Sequence, residues 1–329
     1  MGSPVNTIGQ FERKNLLING GFDFAQRRPS GNSALTSTGG NYLTLDRWLH
    51  GFSSVTSPTC QRTANNFVGP NTSQRQCSAS GTFSVGGELI HRQRIEASIV
   101  RELARTSKSV SFGFWLQGSG PERVRVGLSY PTAFDNWASS TEFYTANAAL
   151  PNGTMTYYKF ENIPLNANCE NGLRLDIQIQ SVAFSGAADT WLAEVMLNEG
   201  SSIAPFRRRG VTIEDELQLC QRYYQKTYRP DGVPGSAGAN DGVVTGYAVV
   251  TGAQTANINH TYYEEMRVAP ACTIYNSSTG ALNTWRDTGG ADITIGIQSI
   301  GLKNLWAINT SSMNQARYAA GHITMDAEL

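Results

Sequence analysis

One stretch near the middle of the chain constrains the fold more than any other part of the sequence. Residues 192–226 read LAEVMLNEGSSIAPFRRRGVTIEDELQLCQRYYQK, which joins the end of a strand pattern, a basic connector with a proline, and the one convincing helix pattern. Thr212 is the expected N-cap, acidic residues fill the first turn, and Pro230 limits the helix. Because the sequence is β-like on both sides, we expect two β-domains joined by a single helix.

The predicted helix, 211–228, carries one apolar stripe. Its members follow the spacing i, i+4, i+7 and i+11, and they are Ile213, Leu217, Cys220 and Tyr224. A lone amphipathic helix cannot bury such a stripe by itself, so it must dock on a sheet or on copies of itself. We therefore expect these four residues to form an oligomer interface.

Composition agrees with an all-β chain. The chain has 329 residues, enough for two domains with real cores; only 16% of the residues are charged and 33 are glycine. Period-2 alternation predicts antiparallel strands at 109–117, 123–130, 173–181 and 191–197, and residues 118–121 are the expected hairpin turn between the first two. These strands, polar on one face, indicate a β-sandwich.

The same patterns set the domain boundaries. We expect an N-terminal arm at 1–14, a β-sandwich domain at 15–210, the connecting helix at 211–228, and a smaller C-terminal β-sandwich at 229–329. In the last region a loop rich in Pro, Gly and Ser precedes strands predicted at 242–250, 269–275, 292–298, 305–309 and 316–326.

Charge and hydropathy argue against several classes of partner. The formal net charge is zero, whereas nucleic-acid binders and polybasic membrane readers carry an excess of Lys and Arg. No stretch approaches the ~20 apolar residues of a membrane span, and residues 1–15 lack the apolar region of a secretory signal. We therefore expect a chain made in the cytoplasm that neither binds nucleic acid nor inserts into a membrane.

The sequence does not indicate metal or cofactor chemistry. The five cysteines are scattered without CxxC spacing, and the four histidines stand apart from one another. These residues are Cys60, Cys77, Cys169, Cys220 and Cys272, and His50, His91, His260 and His322. We interpret the cysteines mainly as small buried residues, although Cys60 and Cys77 could pair across a hairpin. The sequence thus predicts no metal and no cofactor.

Glycoside hydrolysis is the one serious enzymatic alternative, because it needs only two suitably placed carboxylates. The sequence contains no nucleophile elbow, P-loop or zinc-protease motif. The candidate carboxylates are Asp135, Glu142, Glu161, Asp176, Glu194, Asp287 and Asp292. Carboxylates on β-sandwiches are usually solvated, so we expect a protein that is not an enzyme and has no catalytic residues.

Tryptophans are the more promising ligand-binding residues, since their flat rings can stack on sugars or fill a core. Trp191 shares an alternating face with Ala193, Val195 and Leu197, and Trp306 lies beside Leu305, so both are expected to be structural. In contrast, two tryptophans lie among turn-forming polar residues. The predicted ligand-binding residues are Trp137, Trp285, Arg286 and Asp287.

Three parts of the chain, an opening, a middle and a closing part, carry a resemblance to a known family. Residues 14–27, KNLLINGGFDFAQR, followed by LDRW at 45–48, resemble the opening of a family of bacteriophage virion proteins. Residues 111–118, SFGFWLQG, resemble a strand in the middle of that family, and EGS, APF and ELQLCQRYYQ between 199 and 225 resemble its closing element. Ala25 stands where the family usually has an aromatic residue. Residues after 226 carry no such likeness.

The resemblance implies a jelly-roll domain similar to carbohydrate-binding modules in a homotrimeric virion appendage. Its members are tail-fibre, tail-spike or receptor-binding proteins, and some are head fibres. We therefore expect a tail protein that attaches the virion to a host-surface glycan or protein, and that joins other virion proteins through its N-terminal arm. The alternatives are a head fibre or capsid-decorating protein without receptor binding, and a polysaccharide depolymerase.

Overall fold

The predicted all-β class is confirmed. The structure is a computed structural model that describes residues 14–64, 75–248, 256–309 and 318–329, so the predicted N-terminal arm lies outside the described residues except for Lys14. The described residues form 17 strands, two α-helices and one 3-10 helix. None of these helices is long and apolar enough to cross a membrane.

Contacts between Cα atoms divide the chain into two compact units. The first unit contains the described residues up to Ala25, then Gly31–Glu216 and Leu329, and the second contains Gln26–Ser30 and Leu217–Glu328. The strands of the first unit are β1 (Ser33–Ala34), β2 (Leu49–Ala64), β3 (Arg75–Ile95), β4 (Ser109–Gly118), β5 (Arg123–Ala133), β6 (Asn136–Ala149), β7 (Thr156–Pro164), β8 (Leu173–Gln180) and β9 (Gly186–Glu199). Helix α1 (Ala97–Arg105) and a 3-10 helix at Ala167–Asn171 connect some of these strands.

Two long strands, β2 and β3, run through both layers of the first unit. The second half of β3 pairs with β8 and with the start of β2, whereas its first half pairs with β9 and with the end of β2. One layer therefore has the order β6-β5-β8-β3-β2, and the other has the order β7-β4-β9-β3-β2-β1. Register shifts after Ser53 and after Thr56 mark where the hairpin turns from one layer to the other.

Alternate residues of both layers form one hydrophobic core. Phe112 and Phe114 of β4 and Ile177 of β8 are fully buried there. The Phe112 ring stacks on Phe160 of the neighbouring strand at 5.0 Å, and it meets Tyr144 of the opposite layer edge-on at 6.4 Å. The predicted sandwich is thus built from the strands whose alternation is visible in the sequence.

The predicted hairpin turn at 118–121 is wrong. Strand β4 pairs with β7 and β9, whereas β5 pairs with β6 and β8, so the segment after Gly118 crosses from one layer to the other. Both strands have the alternation of a half-buried strand, and this pattern does not say which layer a strand joins. A turn rich in glycine fits either connection.

The segment 14–27 is hydrogen-bonded to the end of β9 and to the connector that follows it. Asn15 Nδ2 donates to the carbonyls of Val195 (2.9 Å) and Arg207 (3.1 Å), and its Oδ1 accepts from Leu197 N at 3.0 Å. Asn19, with a left-handed φ of 58°, donates through Nδ2 to Asp46 O at 2.9 Å. The side chains of Asn15 and Asn19 therefore satisfy backbone groups by hydrogen bonding. The bonds of Asn15 hold the end of β9 and the following connector in the first unit.

Helix α2 (Ile213–Gln221) is shorter than predicted. Its start is as expected, because Asp215 N donates to Thr212 Oγ1 at 3.1 Å and Thr212 N donates to Asp215 Oδ2 at 2.9 Å, a reciprocal cap. Its expected last turn is instead strand β10 (Tyr224–Lys226), whose backbone pairs with a C-terminal strand. Ladder pairing here overrides local helix propensity.

Two of the four residues predicted to form an oligomer interface are buried within the chain itself. Cys220 is fully buried and Tyr224 is 5% exposed within the single chain, so neither side chain is available to a second copy. Leu217 is half-buried, and Ile213 is 40% exposed. The helical period assumed for Tyr224 fails because that residue lies in a strand.

The second unit is a smaller β-structure. Its remaining strands are β11 (Val244–Ala248), β12 (Ala256–Thr261), β13 (Ala271–Asn276), β14 (Thr284–Asp287), β15 (Asp292–Ile300), β16 (Asn304–Asn309) and β17 (Tyr318–Asp326). Pairing runs β17-β11-β12-β16-β15-β14 and returns to β17, while β10 and β13 pair with the C-terminal half of β17. The ladder therefore closes on itself, which removes most open edges.

Candidate functional site

A cleft of about 550 Å³ lies on the outer face of the layer that contains β4, β7 and β9. Its floor holds two aromatic residues, Trp115 of β4 and Tyr157 of β7, which face each other in register. Their rings are 5.0 Å apart and tilted by 52°. The other lining residues are Lys159, Glu161, Glu194 and the segment Ile203, Ala204, Pro205 and Phe206.

A glycine makes room for the aromatic pair. Gly113 precedes Trp115 by two residues on the same face of β4 and pairs with Lys159. A Cβ atom at this position would lie 2.5 Å from the Tyr157 hydroxyl, closer than any real side-chain contact. The Tyr157 side chain therefore lies over Gly113 of β4, and a larger residue at position 113 would displace it.

A β-bulge brings a carboxylate into the same cleft. The β4–β9 register shifts between the pair Gly113–Met196 and the pair Trp115–Ala193, so Glu194 lies in the irregular part of the ladder. Its φ is 52°, an unusual left-handed conformation for this residue, and its side chain is 2% exposed. A bulge beside a cleft is a common device for redirecting a side chain towards a ligand.

Because of the bulge, β9 does not keep one alternating face along its length, and the predicted orientation of its side chains is wrong in part. Trp191, Ala193, Val195 and Leu197 were expected to share one face, but the core contains Leu192 together with Val195 and Leu197. Trp191 is half-buried outside that core. One extra residue in the strand reverses the alternation on either side of it.

The surroundings of two polar groups in the cleft, Glu161 and Tyr157, shift their pKa values. Glu161 accepts a hydrogen bond from Ile203 N at 2.9 Å and lies 3.4 Å from Lys159 Nζ, and these contacts hold the pKa of its carboxyl below the usual value. Burial, and then the charges of Glu161 and Glu194, raise the pKa of Tyr157. The phenol therefore remains a donor beside the ionised Glu161 carboxylate, an arrangement suited to hydroxyl-rich ligands.

Trp137 lies outside this cleft, on β6. It is half-buried, and the guanidinium groups of Arg94 and Arg174 lie against its ring at 5.7 and 5.8 Å. Arg174 in turn bonds Asp176 at 2.9 Å. The ring thus already has cationic partners from its own unit.

The other predicted ligand residues do not form a binding surface. Trp285 is completely buried in the core of the second unit, which removes it as a stacking platform. Arg286 Nη1 pairs with Asp292 Oδ1 at 2.6 Å, and Asp287 Oδ1 accepts from Ala291 N at 2.7 Å. The polar neighbours that suggested a loop belong instead to the short hairpin of β14 and β15.

Trp306 was expected to be structural, but it is 46% exposed on β16 while its neighbours Leu305 and Ala307 are buried. Tyr247 and Tyr318, paired across β11 and β17 with rings 5.7 Å apart, are also exposed. The strict alternation of β16 does predict this orientation, since Trp306 occupies the opposite face from both neighbours. The second unit therefore exposes aromatic residues that sequence reasoning missed.

Two of the seven candidate carboxylates, Glu161 and Glu194, line the cleft. The others have structural partners. Asp176 bridges Arg92 and Arg174, Glu142 pairs with Arg125 at 2.5 Å, and Asp135 Oδ1 accepts from Ala97 N at 2.8 Å. Asp287 and Asp292 lie in the second unit.

Two of the supposedly isolated histidines meet in the core of the first unit. The Nδ1 atoms of His50 and His91 are 2.9 Å apart, and Cys77 Sγ is 3.8 Å from His91 Nδ1. Cys60 Sγ lies 3.4 Å from Cys77 Sγ, so the two thiols are neighbours but are not joined by a disulfide. All four residues are at most 2% exposed. The expectation of four isolated histidines is therefore wrong for this pair.

No protein-family model and no curated protein matches the chain. Solved structures with similar folds include the carbohydrate-binding module TmCBM61 in complex with β-1,4-galactotriose, at 11% identity and a TM-score of 0.31, covering 56% of this chain and 97% of that one. A family 11 carbohydrate-binding module from Clostridium thermocellum, in complex with a β-1,3-1,4-mixed-linked tetrasaccharide, has 10% identity and a TM-score of 0.32, with coverage of 53% and 98%.

A third similar structure is the enzymatically active domain of tailspike protein 4 from bacteriophage CBA120. It has 13% identity and a TM-score of 0.35, and the match covers 56% of this chain and 21% of that one. At this level of similarity, the function of this chain has to be inferred from its own residues.

Proposed function

We propose that this chain is a carbohydrate-binding protein that holds a glycan in the cleft formed by Trp115, Tyr157, Lys159, Glu161 and Glu194. The observation that carries the proposal is the aromatic pair on the floor of the cleft, with rings 5.0 Å apart beside two carboxylates. A sugar offers an apolar ring face for stacking and a rim of hydroxyls for hydrogen bonding. The cleft supplies both kinds of contact side by side.

The rigid surroundings of the cleft favour binding. Trp115 projects from β4, which is paired on both sides, Tyr157 projects from the adjacent edge strand β7, and Glu161 is fixed by its bond to Ile203 N. Protein side chains held on paired strands lose little conformational freedom when a ligand binds. Less of the free energy of binding is therefore offset by ordering these side chains. The segment 203–206 forms one wall of the cleft.

The wider role rests on the sequence resemblance. In a bacteriophage tail appendage, this cleft would attach the virion to a host-surface glycan, and a homotrimer would present three copies of it. Several weak sites on one particle raise avidity by a factor of about 10² to 10⁴ without new contacts. A head-decorating protein without receptor binding is the alternative. A monomer in solution, measured by sedimentation, would contradict the trimeric part of the proposal.

Glycan hydrolysis is the second candidate, because Glu161 and Glu194 line the same cleft. A glycosidase needs one carboxyl that stays protonated near neutral pH and acts as the acid. Glu161 has the opposite property, since its backbone and lysine contacts lower its pKa, so only Glu194 is left to act as the acid. We favour binding because the aromatic pair offers a stacking surface for a sugar ring. New reducing ends from a bound polysaccharide, lost in Glu194→Gln, would reverse this preference.

The test is a glycan array of bacterial surface polysaccharides probed with the full chain. Trp115→Ala removes a half-buried ring from the cleft floor, and we expect affinity for the bound glycan to fall at least tenfold, about 1.4 kcal/mol. Trp306→Ala is the matched control, because it removes an exposed ring in the other unit. Full binding by Trp115→Ala, with loss in Trp306→Ala, would move the site to the second unit.

Adsorption separates host attachment from assembly. If the chain attaches virions, the isolated protein binds host cells and competes with infection, and Trp115→Ala does neither. If it only decorates a capsid, it binds no cells, and imaging of the virion places it on the head. Binding of glycans on the array without binding to cells would support the cleft as a glycan-binding site but would contradict the role in host attachment.

A further inference from the structure

We propose that His50, Cys60, Cys77 and His91 form a zinc site that cross-links the two layers of the first unit. All four residues are at most 2% exposed, and the sulfur and imidazole nitrogen atoms of successive neighbours in the group lie 2.9–3.8 Å apart. One atom each from His50, Cys77 and His91 lies within 4.8 Å of the other two. The Cys60 thiol adjoins this group, since its Sγ lies 3.4 Å from Cys77 Sγ.

The distances fit a four-coordinate ion. With Zn–S near 2.3 Å and Zn–N near 2.0–2.1 Å, tetrahedral angles separate two sulfurs by roughly 3.8 Å, two nitrogens by roughly 3.3 Å, and sulfur from nitrogen by roughly 3.6 Å. The corresponding distances here are 3.4 Å, 2.9 Å and 3.8 Å. These three pairs are therefore within a few tenths of an ångström of tetrahedral spacing, and Cys60 would complete the coordination shell by moving towards the two imidazoles.

The four residues come from parts of the β2–β3 hairpin that belong to different layers of the sandwich. His50 and His91 are direct partners at the end of the β2–β3 ladder that belongs to one layer. Cys60 and Cys77 lie in the part of the same hairpin that belongs to the other layer. The hairpin bends between these two parts, so its ends face each other across the core. A metal bound there would join both layers at one point.

The chemistry favours zinc in a structural role. Two thiolates and two neutral imidazoles are ligands that zinc prefers, and four protein ligands leave no open position for a substrate. Binding releases one proton from each thiol, and the two thiolates neutralise the charge of Zn²⁺. In this neutral complex all four polar side chains are bonded to the ion. They are therefore not left without partners in an otherwise apolar core, where burying unpaired polar groups is costly.

A Cys60–Cys77 disulfide is the competing interpretation. It requires the sulfur atoms to approach to about 2.05 Å, and it would leave the two imidazoles facing only each other. The zinc site uses all four residues at once. The two interpretations predict different metal content and different thiol counts, so one experiment decides between them.

The experiment uses the full chain, produced with zinc in the medium and purified without chelators. We expect one zinc per chain by elemental mass spectrometry. After exchange for Co²⁺, we expect the visible absorption of tetrahedral cobalt with a thiolate charge-transfer band. Removal of the metal by a chelator should lower Tm by at least about 5 °C, and added Zn²⁺ should restore it.

Cys77→Ser and His91→Asn should lose the metal and the cobalt spectrum. Cys169→Ser is the matched control, because Cys169 is equally buried in the first unit but lies outside the cluster, and it should keep one zinc. The wild-type measurements decide the question even if the first two variants do not fold. Less than a tenth of a zinc per chain after Zn²⁺ is added to the reduced protein would overturn the proposal. So would a Cys60–Cys77 disulfide found by peptide mapping.

Discussion

The two units of the molecule are both β-structures, but they are held together differently. The first uses long strands of up to 21 residues, and two of them run through both layers of a sandwich. The second, within its described residues, uses strands of at most nine residues, and its ladder closes through β17. The first core includes residues from every strand after the short β1. The second packs mainly aliphatic residues and methionines around the rings of Trp285 and Tyr262.

This difference has a consequence for function. In the first unit, Trp115 lies on a strand that is paired on both sides, and it shares a cleft with Tyr157 and two carboxylates. The second unit also exposes aromatic side chains, among them Tyr247, Trp306 and Tyr318. We therefore place the ligand site on the first unit, and the following tests probe how each unit is stabilised.

The largest effect is expected in the second unit. Trp285→Ala removes its largest buried side chain and should lower the free energy of unfolding of that unit by about 3–5 kcal/mol. Trp306→Ala is the control, since that ring is 46% exposed and its loss should cost no more than about 0.5 kcal/mol. Denaturant unfolding measures both. Equal costs would show that the second core does not depend on one ring.

A smaller loss is expected where the N-terminal motif meets β9 in the first unit. A Cβ on Gly20 would lie 2.3 Å from Val195 O and 2.8 Å from Asn15 Nδ2, so Gly20→Ala forces the backbone to move. We expect a loss of about 1–3 kcal/mol. Gly39→Ala is the control, because the nearest atom to its Cβ would be Ser37 Oγ at 3.7 Å. No difference in Tm between these variants would mean that the motif is not needed to hold the unit.

The smallest effect is a pH dependence of the second unit. His322 is fully buried, stacks on Tyr228 at 3.8 Å, and places Nε2 2.9 Å from Ala239 O and Nδ1 3.1 Å from Thr227 Oγ1. Burial lowers the pKa of this imidazole, although the Ala239 carbonyl opposes the shift. The unfolded chain therefore binds the proton more readily than the folded chain.

Because the folded-state pKa is the lower one, the contribution of His322 to stability is complete above about pH 6.5 and declines as the pH falls below it. Thermal unfolding between pH 5 and pH 8 measures the slope, and His322→Gln should reduce it. An unchanged slope in the variant would assign the pH dependence to other groups.

Strands whose sequence alternates strictly could be predicted. The structure places β4, β5 and β8 close to the expected ranges, and the N-cap at Thr212 is also as expected. The 21-residue β3 was not predicted, because it changes neighbours along its length and contains Gly86 and Gly87 where the alternation is interrupted. Period-2 patterns identify a strand that keeps one environment, and β3 has two.

The candidate sites were harder to predict for a similar reason. Trp285 looked like a loop residue because of its polar neighbours, yet it is in a core; Trp115 looked like an ordinary strand residue, yet it lines a cleft. Likewise, the spacing of His50, Cys60, Cys77 and His91 matches no metal motif, because the four residues meet only when the hairpin bends.

The sequence by itself determined the β class, the strongest strands, the start of the helix and the division into a larger and a smaller β-region. Those properties follow from local alternation and capping, which act over a few residues. Only the tertiary structure decided which layer each strand joins, which tryptophan faces a cleft, and which cysteines and histidines meet. Those properties depend on contacts between residues far apart in the chain, such as Asn15 with Val195, and local patterns do not encode them.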